Sequence, residues 1–173
     1  MTAALLRLRQ GVRALTAWVR PVDDHAAAAY LSPRLLALFR QMRPGERQHS
    51  LNVLHTLQAR GETHPALLTA ALLHDCGKAR TAYWLWERAI VVIVKRLAPE
   101  RALKWGIGEP TGWRRPFVVN RQHPAWGAAM AQAAGADPLT VELIAGHQRK
   151  IDGSPSNELE RLLVTLQAAD DLN

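Results

Sequence analysis

The chain has one cysteine, Cys76, two phenylalanines and two tyrosines in 173 residues. A lone cysteine excludes an intramolecular disulfide and any zinc site built on paired thiolates. It makes a reducing, cytoplasmic setting the expectation. Long apolar runs are missing as well. The longest aliphatic stretch is Ala89-Ile90-Val91-Val92-Ile93-Val94, far short of the ~20 residues that span a bilayer. Arginines interrupt the chain early, at Arg7 and Arg9, which does not read as a secretion signal. Basic residues outnumber acidic ones, 22 to 15, yet no basic block stands out. A solvated basic surface is therefore expected, with small anionic ligands as partners and no nucleic acid. No repeat, low-complexity tract or long linker divides the chain.

What is present favours helix. Alanine and leucine are abundant, and 48% of the residues are hydrophobic, enough for one globular domain with a core. A basic amphipathic helix is expected over residues 3–20, with Leu5, Leu8, Val12, Leu15 and Val19 on one face and Pro21 ending it. It either packs on the domain or touches an acidic membrane surface as a peripheral contact. Ser32-Pro33 caps and starts a helix to Met42; Pro44 starts another, stopped by Gly61. Thr63-His64-Pro65 opens the helix that runs into His74-Asp75. Residues 82–98 read as a buried helix. Residues 106–120, rich in Gly, Pro and Arg, read as a loop facing a ligand. Pro124 starts a small-residue helix ended by Gly135, Asp137-Pro138 starts the next, and Glu158 to Leu172 is the last. The fold class is all-α: a single-domain helical bundle, with residues 1–43 as an N-terminal helical extension packed on a domain of residues 44–173. Exposed tryptophans in residues 82–105 make a homodimer an expectation too.

His74-Asp75 closes the apolar run Ala66-Leu67-Leu68-Thr69-Ala70-Ala71-Leu72-Leu73. An imidazole and a carboxylate there cost much to desolvate unless they are partnered. Two readings fit the dipeptide alone: a metal site, or a helix end with Gly77 as the cap and Lys78 near the last carbonyls. Other residues weigh towards metal. His49 shares a stripe with Val53 and Leu57. Asp170 continues Leu159, Leu163 and Leu166, while Asp171 is turned away by about 100°. His147 continues Thr140 and Ile144, and His123 sits at a helix mouth beside the arginine-rich loop. Four imidazoles and two carboxylates thus point inward, in a chain with only seven histidines. His25, His55 and His64 fall on caps, turns or elsewhere on their helices.

The order His49, His74-Asp75, Asp170, with Ala-Ala-Leu-Leu-His-Asp-Cys-Gly-Lys around the dipeptide and Ala168-Ala169-Asp170 at the end, resembles the HD superfamily of metal-dependent phosphohydrolases. The resemblance covers residues 45–173. His123-Pro124-Ala125-Trp126-Gly127-Ala128 and Ile144-Ala145-Gly146-His147 resemble the second-metal ligands of its binuclear branches, the HD-GYP cyclic-di-GMP phosphodiesterases and the HD-type diadenosine-tetraphosphate hydrolases. The Gly-Tyr-Pro signature of the first branch is absent. The stretch from His147 to Asp170 is more similar to the second.

The resemblance implies an HD-type bundle and a hydrolase of a phosphoester or phosphoanhydride, with a nucleotide or dinucleotide as the small phosphorylated substrate. It implies that His49, His74, Asp75 and Asp170 hold one metal, and that Asp75 bridges to a second held by His123 and His147. One or two divalent transition ions follow; imidazole-rich ligation suits iron or manganese, and zinc also fits. Asp75 and Lys78 are the expected catalytic residues, with Lys78 holding a phosphate as a point charge. Arg114, Arg115 and Arg121 are candidates for further phosphates, or are a solvated loop. The competing class is a non-catalytic HD module that binds a ligand or partner around a structural metal.

Overall fold

The computed structural model describes residues 22–81 and 84–173, so the helix expected over residues 3–20 lies outside the described residues. Among the described residues every regular element is a helix and there is no strand, so the fold is all-α. In chain order they are α1 (Asp24–Ala28), α2 (Pro33–Gln41), α3 (Pro44–Ala59), α4 (Pro65–Leu73), a 3-10 turn (Cys76–Arg80), α5 (Leu85–Leu97), α6 (Pro99–Trp105), a second 3-10 turn (Gly112–Arg114), α7 (Arg115–Ala133), α8 (Pro138–Gly146) and α9 (Glu158–Asp170).

Proline sets many of these starts. Helices α2, α3, α4, α6 and α8 each begin on one, where the missing N–H would have had no helical partner. Side-chain caps help: Ser32 accepts from Leu35 N, Asp137 from Thr140 N and Asn157 from Glu160 N. Gly61 and Gly135 end α3 and α7 with φ of 80° and 89°, the left-handed region that glycine enters at least cost.

Helix α4 is the centre of the core. All residues from Ala66 to Leu73 are buried, so it is apolar on every side and surrounded by other elements. Helices α3, α8, α9 and α2 contact it. Each fully buried leucine in such a core, Leu67 or Leu72 for example, contributes about 1.5–3 kcal/mol. Ala27, Leu31, Leu35, Leu38, Phe39 and Met42 belong to the same core cluster. Asp24 ties α1 to α3 through two hydrogen bonds from Arg47, 2.7 and 2.9 Å.

Two expectations change. Helix α5 is not buried: it rests on α7 through Glu87 and Val91, and Val92, Ile93 and Leu97 face out. Its apolar composition was compatible with a core position, but only the small cluster of Val91, Ala102 and Phe117 lies beneath it. The loop expected to Asn120 also ends earlier. Helix α7 begins at Arg115 and carries Pro124 in its interior, so His123 lies mid-helix rather than at a helix mouth.

Candidate metal centre

Five helices deliver the six inward-facing residues. His49 lies on α3, on the side of Val53 and Leu57. His74 and Asp75 follow the last residue of α4, His123 is in α7, His147 follows α8, and Asp170 ends α9. They gather into two groups: His49, His74 and Asp170, and Asp75, His123 and His147, with the ligand atoms in each group within 4.8 Å of one another.

Asp75 joins the groups. Its Oδ1 is 3.3 Å from His123 Nε2 and 3.9 Å from His147 Nε2, while its Oδ2 is 3.8 Å from His74 Nε2. One oxygen thus faces each group. On the first side, Asp170 Oδ1 lies 2.8 Å from His49 Nε2 and 3.6 Å from His74 Nε2. The imidazole centroids of His49, His74, His147 and His123 follow one another at 5.4, 5.2 and 5.1 Å. His74, Asp75, His123 and His147 are buried, whereas His49 and Asp170 are partly exposed, so the centre meets solvent on their side.

Ring tautomers follow from the backbone. His74 Nδ1 donates to Ala71 O at 2.9 Å and His147 Nδ1 to Ile144 O at 2.8 Å. His123 Nδ1 donates to Val119 O and Asn120 O at 3.0 and 3.1 Å. With the proton held on Nδ1, each neutral ring turns its Nε2 lone pair into the centre. His123 Nε2 and His147 Nε2 then face each other at 3.2 Å, two acceptors without a proton between them. His74 Nε2 is buried with no hydrogen-bond partner. Lone pairs arranged this way, beside two carboxylates, fit a divalent cation in each group.

Protonation agrees. Burial pushes the His147 imidazolium down to about 3, helped by the charge on His74. Burial also lowers His123, against the pull of Asp75. Both rings are therefore neutral at pH 7, as ligands must be. Burial acts to lower His74 too, but Asp75 and Asp170 outweigh it and raise it. Burial opposes ionisation of Asp75, yet Lys78 and His74 hold its carboxyl well below the usual range. Asp170 is held low against burial by His49 and His74.

Some of the local devices were not read from the sequence. Gly77 is not in a left-handed cap conformation. It is glycine because a Cβ there would lie 2.0 Å from His123 O and 2.6 Å from Gly127 N. The turn carrying His74-Asp75 therefore lies directly on α7 at His123. Cys76 is buried against the same spot, with Sγ 3.6 Å from Gly127 O, and burial pushes its thiol up to about 12, so it packs and does not react. A glycine just past the dipeptide and another in a small-residue helix were the available signal for this contact. Glu46 and Glu87 are buried ion-pair partners of Arg88 and Arg115; neither stood out from its periodicity.

The phosphate candidates divide. Lys78 Nζ is 2.5 Å from Asp75 Oδ2, at the centre's edge. The arginines are engaged elsewhere: Arg114 donates to Lys104 O and Ile107 O, Arg115 pairs with Glu87, and Arg121 donates to Leu103 O. None of these partners belongs to the centre. Asp171, His25 and His55 are exposed, and His64 lies 3.9 Å from Glu158.

A family model described as HD domain matches residues 47–173. No curated protein and no solved structure gave a match.

Proposed function

The chain belongs to the HD-domain family, a superfamily of metal-dependent phosphohydrolases, and on that premise we propose that it hydrolyses a phosphoester or phosphoanhydride of a nucleotide or dinucleotide. The observation that carries this reading is the pair of three-ligand groups joined through Asp75. His49, His74 and Asp170 would hold one divalent ion and His123 and His147 the other, with Asp75 shared between them. Iron and manganese suit this donor set best, and zinc also fits. Bound metal would supply an acidified water as nucleophile and neutralise phosphate oxygens.

The chain's own residues do the rest. The backbone carbonyls of Ala71, Val119, Asn120 and Ile144 hold three imidazoles in the donor tautomer, so these rings need not turn to present Nε2. Asp75, kept ionised by Lys78 and His74, keeps a negative charge between the two groups. Lys78, largely covered and 2.5 Å from Asp75 Oδ2, would meet a phosphate oxygen as a point charge, worth more there than in bulk water. The partly exposed edge at His49 and Asp170 is the side from which substrate would enter.

The test combines metal analysis with turnover. The purified protein is expected to contain transition metal, and His74→Ala with Asp75→Ala to remove it. Loaded with iron or manganese, the protein is expected to hydrolyse members of a panel of mononucleotides, dinucleoside polyphosphates and cyclic dinucleotides. Lys78→Ala should slow this at least about tenfold, as expected when a charge on the transferring phosphoryl group is lost. Metal content unchanged in the double variant would overturn the centre. Full metal content with no turnover across the panel would favour the non-catalytic module.

A further inference from the structure

Helix α5 is fixed to the body on one side and bare on the other. Glu87 is buried, accepts from Trp84 N at 2.7 Å and pairs with Arg115; Val91 is buried against Phe117. These contacts set the helix's rotation. They leave Trp86, Ile90, Ile93 and Leu97, spaced at four, three and four, as a stripe 61, 41, 55 and 78% exposed. A groove of about 560 Å³ runs beside the stripe, lined by Trp86, Ile90, Trp105, Trp113 and Phe117. Trp113 stands out at its rim, 64% exposed. Contiguous apolar surface of this kind marks an interaction site.

The charge around the stripe identifies the occupant. Residues 84–121 contain eight lysines and arginines and three glutamates; Glu87 and Arg115 neutralise each other and Arg88 is paired with Glu46, which leaves the segment positive. Arg96, Arg101 and Lys104 are exposed and form no ion pair among the described residues. A second copy of the chain would bring the same positive face against itself. Residues 1–22 would fare no better, since they contain four arginines and no acidic residue. Nucleic acid would satisfy the charge and leave the tryptophans and isoleucines in water. An anionic bilayer surface satisfies both, because aromatic and aliphatic side chains enter the headgroup boundary while Lys and Arg stay with the phosphates. At 13 residues α5 is too short to cross.

We propose that the Trp86–Leu97 stripe of α5, with Trp113 beside it, docks the protein on anionic phospholipid membranes. The experiment is sedimentation of the full chain with vesicles of phosphatidylcholine alone or mixed equally with phosphatidylglycerol. Binding is expected to the mixed vesicles, weakening as salt screens the charges. Ile93→Gln with Leu97→Gln should weaken it at least about tenfold while the helical circular dichroism and the melting curve stay those of the parent chain. In the unaltered chain, brominated phosphatidylcholine within the mixed vesicles should quench tryptophan emission, and Trp86→Phe with Trp113→Phe should remove most of that quenching. A chain that stays in the supernatant with mixed vesicles would overturn the proposal. So would vesicle binding that the glutamine pair leaves intact, or a dimer that the pair dissociates without any vesicle binding.

Discussion

Without a backbone N–H, Pro124 leaves the carbonyl of Asn120 without its usual helical donor, four residues back. The His123 ring fills the vacancy, with Nδ1 3.1 Å from Asn120 O and 3.0 Å from Val119 O. A residue that ordinarily breaks a helix here supplies a second acceptor that fixes a ligand's tautomer. Pro124→Ala should restore the competing N–H. The helix then gains or holds stability, since alanine is the better helix former, while His123 keeps only Val119 O. Loss of such an outer partner weakens metal binding by roughly tenfold or more. Titration against a competing chelator measures this, and unchanged affinity in Pro124→Ala would remove the proline from the account. The sequence placed His123 beside Pro124 and read the proline as a helix start, since proline is commonest at a first turn. What makes Pro124 an interior residue is the packing of Phe117, Val118 and Val119, all buried, which continues the helix upstream.

Elements meet in this fold by close approach as much as by leucine packing. The 3-10 turn after α4 crosses α7 with Gly77 against His123 O and Gly127 N, and Gly127 itself has Cys76 Sγ 3.3 Å from where its Cβ would stand. Backbone atoms cannot rotate aside, so Gly77→Ala must push the turn off α7. It should cost about 3 kcal/mol or more, at or beyond the upper end of ordinary overpacking, and part Asp75 from His123. Gly146→Ala is the contrasting case: the atoms nearest its Cβ would be Leu163 side-chain carbons, at 3.1 and 3.2 Å, which can shift, and alanine favours the helix. Urea denaturation of both variants should show a large loss for the first and about 1 kcal/mol or less for the second; equal losses would mean the glycine contact does not hold the two elements together. Stripes were the legible part of these elements. The faces of His49, Val53 and Leu57 and of Leu163, Leu166 and Asp170 were visible because a helix repeats every ~3.6 residues. Which face of α5 is covered was not, because an apolar composition does not say what lies opposite.

Across the whole molecule, the centre joins the ends of α4, α8 and α9 to the interiors of α3 and α7, so its occupancy and its protons should register in global stability. The chain keeps one unpartnered nitrogen, His74 Nε2, two imidazole nitrogens turned on each other, His123 and His147 Nε2, and two ionised carboxylates in one cluster. A cation bound at a hundred times its dissociation constant adds about 2.7 kcal/mol, or roughly 5–10 °C in Tm for a domain of this size. Chelation should remove that much. The pH dependence of the metal-free chain follows from the direction of each shift. His147 at about 3 and the lowered His123 stay neutral when folded, while the unfolded chain takes up protons below 6.5; stability therefore falls as pH drops through that window. His74, raised, acts the other way: its contribution is present below 6.5 and lost as pH rises through its folded value. Below 6.5 that contribution is already complete, so the two lowered rings set the slope there. Below 3.8 the depressed Asp75 and Asp170 add to the loss as they are forced to protonate. Thermal melts at pH 7, 5.5 and 4, with and without chelator, should show Tm falling with pH in the metal-free chain and a metal increment that shrinks as protons compete for the imidazoles. A Tm that chelator leaves unchanged at pH 7, or a metal-free Tm level from pH 7 to 4, would mean the six residues form a self-sufficient polar core and not a metal centre.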